Sequence, residues 1–178
     1  MNKRFFLLIL GCSLLILNSC GYTVRSYSKP DFGTIGVEAF VSTIDFTGEA
    51  SYSKLRISPL LLADKLTDRL KKQIIEDGIM KLEDSRRSQV VLSGEITDFL
   101  QKPLRYTKQD DIEEYRINLF VDIKLQDSET GKLIKKKSIS ATDSYFIVGP
   151  RQETQPTALD RLIRKAARKI VDSIVDAW

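Results

Sequence analysis

The chain has 178 residues, with 28 Lys and Arg against 24 Asp and Glu and a formal net charge of +4. Near-balance of charge excludes the strongly basic surface expected of a nucleic-acid-binding domain. Histidine is absent, which removes Cys/His zinc sites, Ser-His-Asp triads and Cys-His pairs from consideration.

The N-terminus opens with Lys3 and Arg4, followed by an apolar run from Phe5 to Leu17. A short basic segment before an apolar run of this length has the form of a secretory signal, and the run is too short for a permanent transmembrane helix. The segment ends in Leu17-Asn18-Ser19-Cys20, which resembles the bacterial lipobox, with Leu at −3, a small residue at −1 and Cys at +1. The resemblance implies removal of residues 1–19 and acylation of Cys20. Several acyl chains anchor stably where one is marginal. Gly21 at +2, rather than Asp, implies outer-membrane sorting. Cys12 falls inside the discarded signal, so no disulfide is expected and the fold must hold by its core. Loss of Lys3 and Arg4 lowers the net charge to +2.

Residues 20–33 are polar and turn-rich and read as a lipidated tether, and residues 34–178 as a single domain. Thr34 to Phe40 alternates enough to be a strand, and residues 41–57 read as a loop. Ser58-Pro59 marks a helix start. Leu62, Leu66, Leu70 and Ile74 then recur on one face, and Gly78 suits the C′ position, giving a helix from Pro59 to Asp77. A short strand over Ile79 to Leu82 is expected next, then a strand from Val90 to Leu100, and then a charged loop from Lys102 to Asp111. From Tyr115 to Gln126 apolar and polar residues alternate almost without exception, the period of a strand buried on one side. Asp127 to Gly131 has hairpin-turn composition, with Gly131 suited to positive φ, and Lys132 to Phe146 returns beside the first strand. From Thr157 a helix runs to the C-terminus with Leu159, Leu162, Ile163, Ala166, Ile170 and Ile174 in one stripe. Strands grouped between two helices predict an α+β two-layer sandwich: a mostly antiparallel sheet of four to five strands with both helices on one face.

Three polar groups invite a functional reading. Lys135, Lys136 and Lys137 lie in the returning strand, where consecutive residues point to both faces. They serve either to protect a sheet edge against pairing or, with Lys102, Arg105 and Lys108, as a cationic patch for lipid phosphates. The basic face of the last helix (Arg161, Arg164, Lys165, Arg168, Lys169) reads as solvated, with Asp160–Arg164 and Arg168–Asp172 as i,i+4 pairs. Asp110, Asp111, Glu113 and Glu114 lack the ligand spacing of a calcium loop and read as a solvated acidic run. Trp178 suits either a core cover or a partner anchor. No cofactor is expected.

The chain resembles the LPS-assembly lipoprotein family, LptE. The resemblance is carried by Cys20-Gly21-Tyr22, by Ile35-Gly36-Val37-Glu38-Ala39-Phe40, and by Leu70 with Ile75-Glu76-Asp77-Gly78. It continues in Val91-Leu92-Ser93-Gly94-Glu95-Ile96, in the hairpin from Glu114-Tyr115-Arg116 to Thr130-Gly131-Lys132, and in Ile174-Val175-Asp176-Ala177-Trp178. It implies a non-enzymatic protein of the outer membrane's inner leaflet, facing the periplasm. Such a protein complexes with and plugs the lipopolysaccharide-export barrel, LptD, and supports delivery of lipopolysaccharide to the outer leaflet. The lipopolysaccharide contacts would then be Lys135, Lys136, Lys137, Lys102 and Arg105. The residues alone leave two other readings open: a stand-alone structural or adaptor lipoprotein without a barrel partner, and a lipoprotein enzyme built on a Ser-Lys pair.

Overall fold

The computed structural model describes residues 32–44 and 58–175, so Cys20, the signal segment, most of the tether and Trp178 lie outside the described residues. The elements are β1 (Thr34–Val37), β2 (Val41–Ser42), α1 (Pro59–Asp77), β3 (Lys81–Leu82), β4 (Val90–Tyr106), β5 (Ile112–Asp127), β6 (Leu133–Phe146) and α2 (Gln155–Val175). The six strands form one sheet in the order β3-β1-β4-β5-β6, with β2 continuing beside β4. The α+β class with two helices is as expected. The sheet is mixed, however: β3, β1 and β2 run parallel to their neighbours, and only β4, β5 and β6 are antiparallel. Helix α1 supplies the crossover that parallel pairing requires.

Strand β5 organises the molecule. Ile117, Leu119, Val121, Ile123 and Leu125 are all buried. With Val90, Leu92, Ile96 and Phe99 of β4 and Ile139 and Ala141 of β6, they form a floor on which both helices pack. Helix α1 buries Leu62, Leu66, Leu70 and Ile74, and α2 buries Leu159, Leu162, Ile163, Ala166, Ile170 and Ile174. Each Leu or Ile removed from water contributes about 1.5–3 kcal/mol before chain entropy is counted. The core also takes in Phe32, 6% exposed, so it begins inside the segment assigned to the tether.

Local punctuation follows the sequence in most places. Gly78 closes α1 in the left-handed region with φ 63°, its N–H donating to Ile74 O. Gly131 turns the β5–β6 hairpin with φ 67°, and there Asp127 Oδ1 accepts from the backbone N–H and the hydroxyl of Thr130 at 2.8 and 2.7 Å. Ser58 sits at the N-cap of α1, but its side chain makes no capping bond, and the backbone bond from Leu62 N to Ser58 O starts the helix instead. The first strand is broken: Glu38 to Phe40 leaves the ladder, which resumes as β2 inside the expected loop. The break lets Phe40 turn into the core, where its N–H donates to Thr67 Oγ1 at 3.0 Å and its ring lies over Gly94. A Cβ at Gly94 would overlap that ring.

Strand β6 is the sheet's long free edge, and α2 closes it. Lys169 Nζ donates to Ser140 O at 2.7 Å, Lys165 Nζ to Thr142 O at 3.4 Å and Arg161 Nη2 to Ser144 O at 3.0 Å. Three cations spaced four apart on the helix thus cover three outward carbonyls spaced two apart on the strand. Of the helix face expected to be solvated, Arg164 and Arg168 are exposed, whereas Arg161, Lys165 and Lys169 form an edge guard, which blocks the pairing that an exposed strand edge invites. Asp160, expected to pair with Arg164, instead pairs across the helix interface with Lys65 at 3.2 Å.

Asp143 and Glu153 fix the guard. Arg161 Nε donates to Asp143 Oδ2 at 2.8 Å, while Nη1 and Nη2 grip the Glu153 carboxylate at 2.6 and 2.7 Å, the bidentate geometry that suits guanidinium. Burial pushes the Asp143 carboxyl up, but hydrogen bonds from Lys165, the Ser144 N–H and Arg161, with the charge of Arg161, outweigh it and leave the group below the usual carboxylate range. The hydrogen bonds from Arg161 to Glu153 hold the guanidinium firmly protonated.

Two predictions follow from this packing. Gly94→Ala should destabilise the protein by about 1–3 kcal/mol in guanidinium unfolding, and Phe40→Ala should cost less in that background than in the parent, because the two changes share one clash. Asp143→Asn should cost about 1.5–3 kcal/mol near neutral pH, the range for a hydrogen bond to a charged group. A carboxyl depressed on folding stabilises above its unfolded pKa of about 3.9 and loses that contribution as pH falls through its lower folded value. Thermal melts of parent and variant should therefore converge below about pH 4; a constant gap down to pH 2 would contradict the assignment.

Candidate interaction surface

Both helices lie on one side of the sheet, and among the described residues no element covers the other side. The alternate residues of β4, β5 and β6 that avoid the core therefore form one open face, which the pairing register sets out as rows across the strands. From the β5–β6 turn end the rows run Ser93–Lys124–Lys136, then Glu95–Asp122–Ser138, then Asp98–Phe120–Ser140, then Leu100–Asn118–Thr142, then Lys102–Arg116–Ser144, then Arg105–Glu114–Phe146. Thr142 Oγ1 donates to Asn118 Oδ1 at 2.8 Å within the fourth row. A groove of about 460 Å³ crosses the centre, lined by Thr97, Asp98, Phe120, Asp122, Ser138 and Ser140.

The face is not optimised for its own stability. Lys124 stands directly opposite Lys136, Glu95 opposite Asp122 and Lys102 opposite Arg116. Like charges facing each other across a ladder are destabilising, by roughly 0.2–1 kcal/mol per pair. The three like-charge rows are positive, negative and positive in turn along the face.

The far end of this face is a small built cluster. Strand β4 does not stop at Leu100: it runs to Tyr106, so Lys102 and Arg105 lie in a strand where a loop was expected, and only residues 107–111 turn. Glu114, expected in a solvated acidic run, is 5% exposed. Its Oε1 accepts from Ser144 Oγ at 2.7 Å, and its Oε2, sealed from solvent without a hydrogen-bond donor, has Arg105 Nε 3.6 Å away. Arg105 and Arg151 both lie against the Phe146 ring, with their guanidinium carbons 5.6 and 4.3 Å from its centre. Arg151 and Arg116 belong with Lys102 and Arg105, yet local sequence places Arg151 beyond the sheet-breaking Gly149-Pro150, and only the fold brings it to Phe146.

The basic residues singled out in the sequence do not form one site. Lys136 is ten residues from Phe146 along β6, about 33 Å, so the lysine run and the Lys102/Arg105 cluster occupy opposite ends of the molecule. Lys135, on the helix side, donates to Ser173 O near the end of α2 at 2.6 Å, and Lys136 points to the open face beside Lys124. Lys108 lies on the exposed turn between β4 and β5. Among the described residues no group of acidic or metal-ligating side chains is placed to hold a metal ion, and no helix is long and apolar enough to cross a membrane.

Solved structures share this architecture. The hypothetical protein CT253 from Chlamydia trachomatis aligns with TM-score 0.55 at 11% identity, over 82% of this chain and 97% of that one. Protein XCC0632 from Xanthomonas campestris aligns with TM-score 0.55 at 11% identity, over 85% of each chain. The uncharacterized lipoprotein B from Nitrosomonas europaea aligns with TM-score 0.50 at 13% identity, over 87% of this chain and 90% of that one. At such identities the likeness shows the fold alone. No curated protein matches the sequence. The family model for LptE, described as lipopolysaccharide-assembly, matches residues 48–178. That span holds α1, most of the sheet, the open face and the edge guard, and the chain belongs to the LptE lipopolysaccharide-assembly family.

Proposed function

We propose that the protein is an outer-membrane lipoprotein, acylated on Cys20 and held on the inner leaflet facing the periplasm. There it assembles with and plugs an LptD-like lipopolysaccharide-export β-barrel, without catalysis of its own and without a cofactor. The observation that carries this reading is the open sheet face. It is uncovered among the described residues, carries Leu100, Phe120 and Phe146 among mostly polar residues, and is banded with like-charge rows. The interior of a large outer-membrane barrel is itself polar, so such a face can meet it through paired charges and bridging water without a large apolar seam. The family membership supports a place in lipopolysaccharide assembly. A lipid anchor beside the barrel raises the effective concentration of one partner for the other.

Within that reading the lipopolysaccharide phosphates meet the Lys102, Arg105, Arg116 and Arg151 cluster. Arg105 is already oriented by Glu114 and Phe146, whereas Lys102 and Arg116 face each other without a shared counter-charge in their row, so an anion between them relieves repulsion as it binds.

Affinity purification of the full-length protein from outer membranes in mild detergent should recover a large β-barrel at near one-to-one ratio, in a complex that survives high salt. Recovery of the lipoprotein alone from membranes that contain the barrel would leave a stand-alone adaptor. A second expectation concerns the cluster. Lys102→Ser with Arg116→Ser should weaken binding of purified lipopolysaccharide about tenfold or more, while unfolding stability stays level or rises by a few tenths of a kcal/mol as the like-charge pair disappears. Unchanged binding would remove this cluster from the lipid path.

A further inference from the structure

We infer that the opposite end of the domain, where the chain departs toward Cys20, is a docking surface for the anionic phospholipid of the leaflet that holds the anchor. This inference rests on the acylation of Cys20 proposed above. The polarity of the sheet defines the end. Ile35 pairs with Val90 at the start of β4, whereas the β4–β5 turn follows Tyr106, sixteen residues and about 53 Å away. Phe32 is buried at the β1 end, and only eleven residues lie between it and Cys20, a span of at most about 43 Å. A connection shorter than the sheet is long holds this end within reach of the leaflet while leaving the β4–β5 turn free to lie farther off.

The surface there has the composition of an interfacial contact. Leu133 is 50% and Ile134 37% exposed at the start of β6, and Lys132, Lys136, Arg86 and Arg87 around them are exposed. Apolar side chains ringed by Lys and Arg suit the headgroup boundary, where the former enter the interface and the latter meet phosphate. Two turns are tied into one platform: Ser128 N donates to Gln89 O at 2.9 Å and Ser128 Oγ to Ser85 O at 3.0 Å. Between them lies a cleft of about 610 Å³ lined by Phe32, Arg86, Arg87 and Ile134. The neighbouring acids are partly spent internally. Asp84 accepts from the Arg86 N–H, Asp127 from Thr130, and Glu83 pairs with Lys81. Glu129 also lines the cleft and is exposed. Five cations, Arg86, Arg87, Lys124, Lys132 and Lys136, stand against Asp84, Asp127 and Glu129, so this end keeps a cationic excess.

The test uses the full-length lipidated protein in phosphatidylcholine vesicles with and without phosphatidylglycerol, carrying an environment-sensitive fluorophore on Leu133→Cys or, as a comparison, on Lys108→Cys at the β4–β5 turn. The expected result is a blue shift and quenching by headgroup-depth nitroxide lipid at position 133 only, and only with phosphatidylglycerol. The quenching should be lost in high salt and in a variant combining Arg86→Gln, Arg87→Gln, Lys132→Gln and Lys136→Gln whose circular dichroism and melting match the parent. Equal water exposure of both labels in all vesicles would overturn the inference, as would shielding at 133 that requires added lipopolysaccharide. Failure of the protein to float with vesicles in high salt would instead overturn the anchor on which the inference rests.

Discussion

The alternation in β5 is the constraint on which the rest depends. A strand with every second side chain buried has to be covered on one side, and Ile117, Leu119, Val121, Ile123 and Leu125 commit the sheet to receiving two helices there. A one-residue slip would exchange the faces completely, placing Lys124, Asp122 and Arg116 in the core, so the register is strongly determined. The same period dictates the other side. Once the apolar set is spent on the core, Glu114, Arg116, Asn118, Phe120, Asp122, Lys124 and Gln126 have only the open face to occupy. Core formation and the banded interaction surface are therefore two outcomes of one pattern, and neither can be altered in register without the other.

A one-sided sheet leaves an edge to manage. At β3 the edge is only two residues long, too short a template to matter. At β6 it is fourteen residues, and here α2 does double service. Its apolar stripe closes the core while Arg161, Lys165 and Lys169, at its border, reach over the rim to the strand's carbonyls. Asp143 and Glu153 align these cations, so an internal ion network takes the place of the bulges and prolines that other sheets use. Long basic side chains reach along the rim and set their charges on carbonyl oxygens.

The elements with strong periodicity were legible before any coordinates: both helices, β5, the hairpin at Gly131 and the cap at Gly78. What sequence concealed has physical causes. Strand β2 is two residues long and carries no period, and the parallel setting of β1 and β3 follows from a crossover that leaves no local mark. Lys102-Pro103-Leu104-Arg105-Tyr106 reads as part of a charged loop, yet pairing with β5, through register shifts around Arg105, holds it extended. Glu114 stands in a run of acids that looks solvated. Its burial comes from Ser144, thirty residues on, and from Arg105 and Phe146, which no spacing rule connects. The helix cations were visible as a stripe, but their target, a row of backbone carbonyls, has no sequence signature. The tip cluster was half legible: Lys102 and Arg105 by charge, Arg116 only as a polar position in an alternating strand, and Arg151 only through the fold.

The edge guard also carries a consequence for how the chain comes to be folded. The strand that needs protection ends at Phe146, and the cations that protect it begin fifteen residues later, in α2, the last of the described elements. A chain synthesised from its N-terminus therefore completes the β4-β5-β6 meander with its longest rim bare and waits for the C-terminal helix to arrive. During that interval the nascent molecule is at its most adhesive, able to add a strand from a neighbour before its own helix seats. Premature termination before Arg161 would make the vulnerable intermediate permanent. A nonsense change in α2 would then act less as a loss of one helix than as the creation of a sticky, self-templating product, and the quality-control burden is concentrated in that helix.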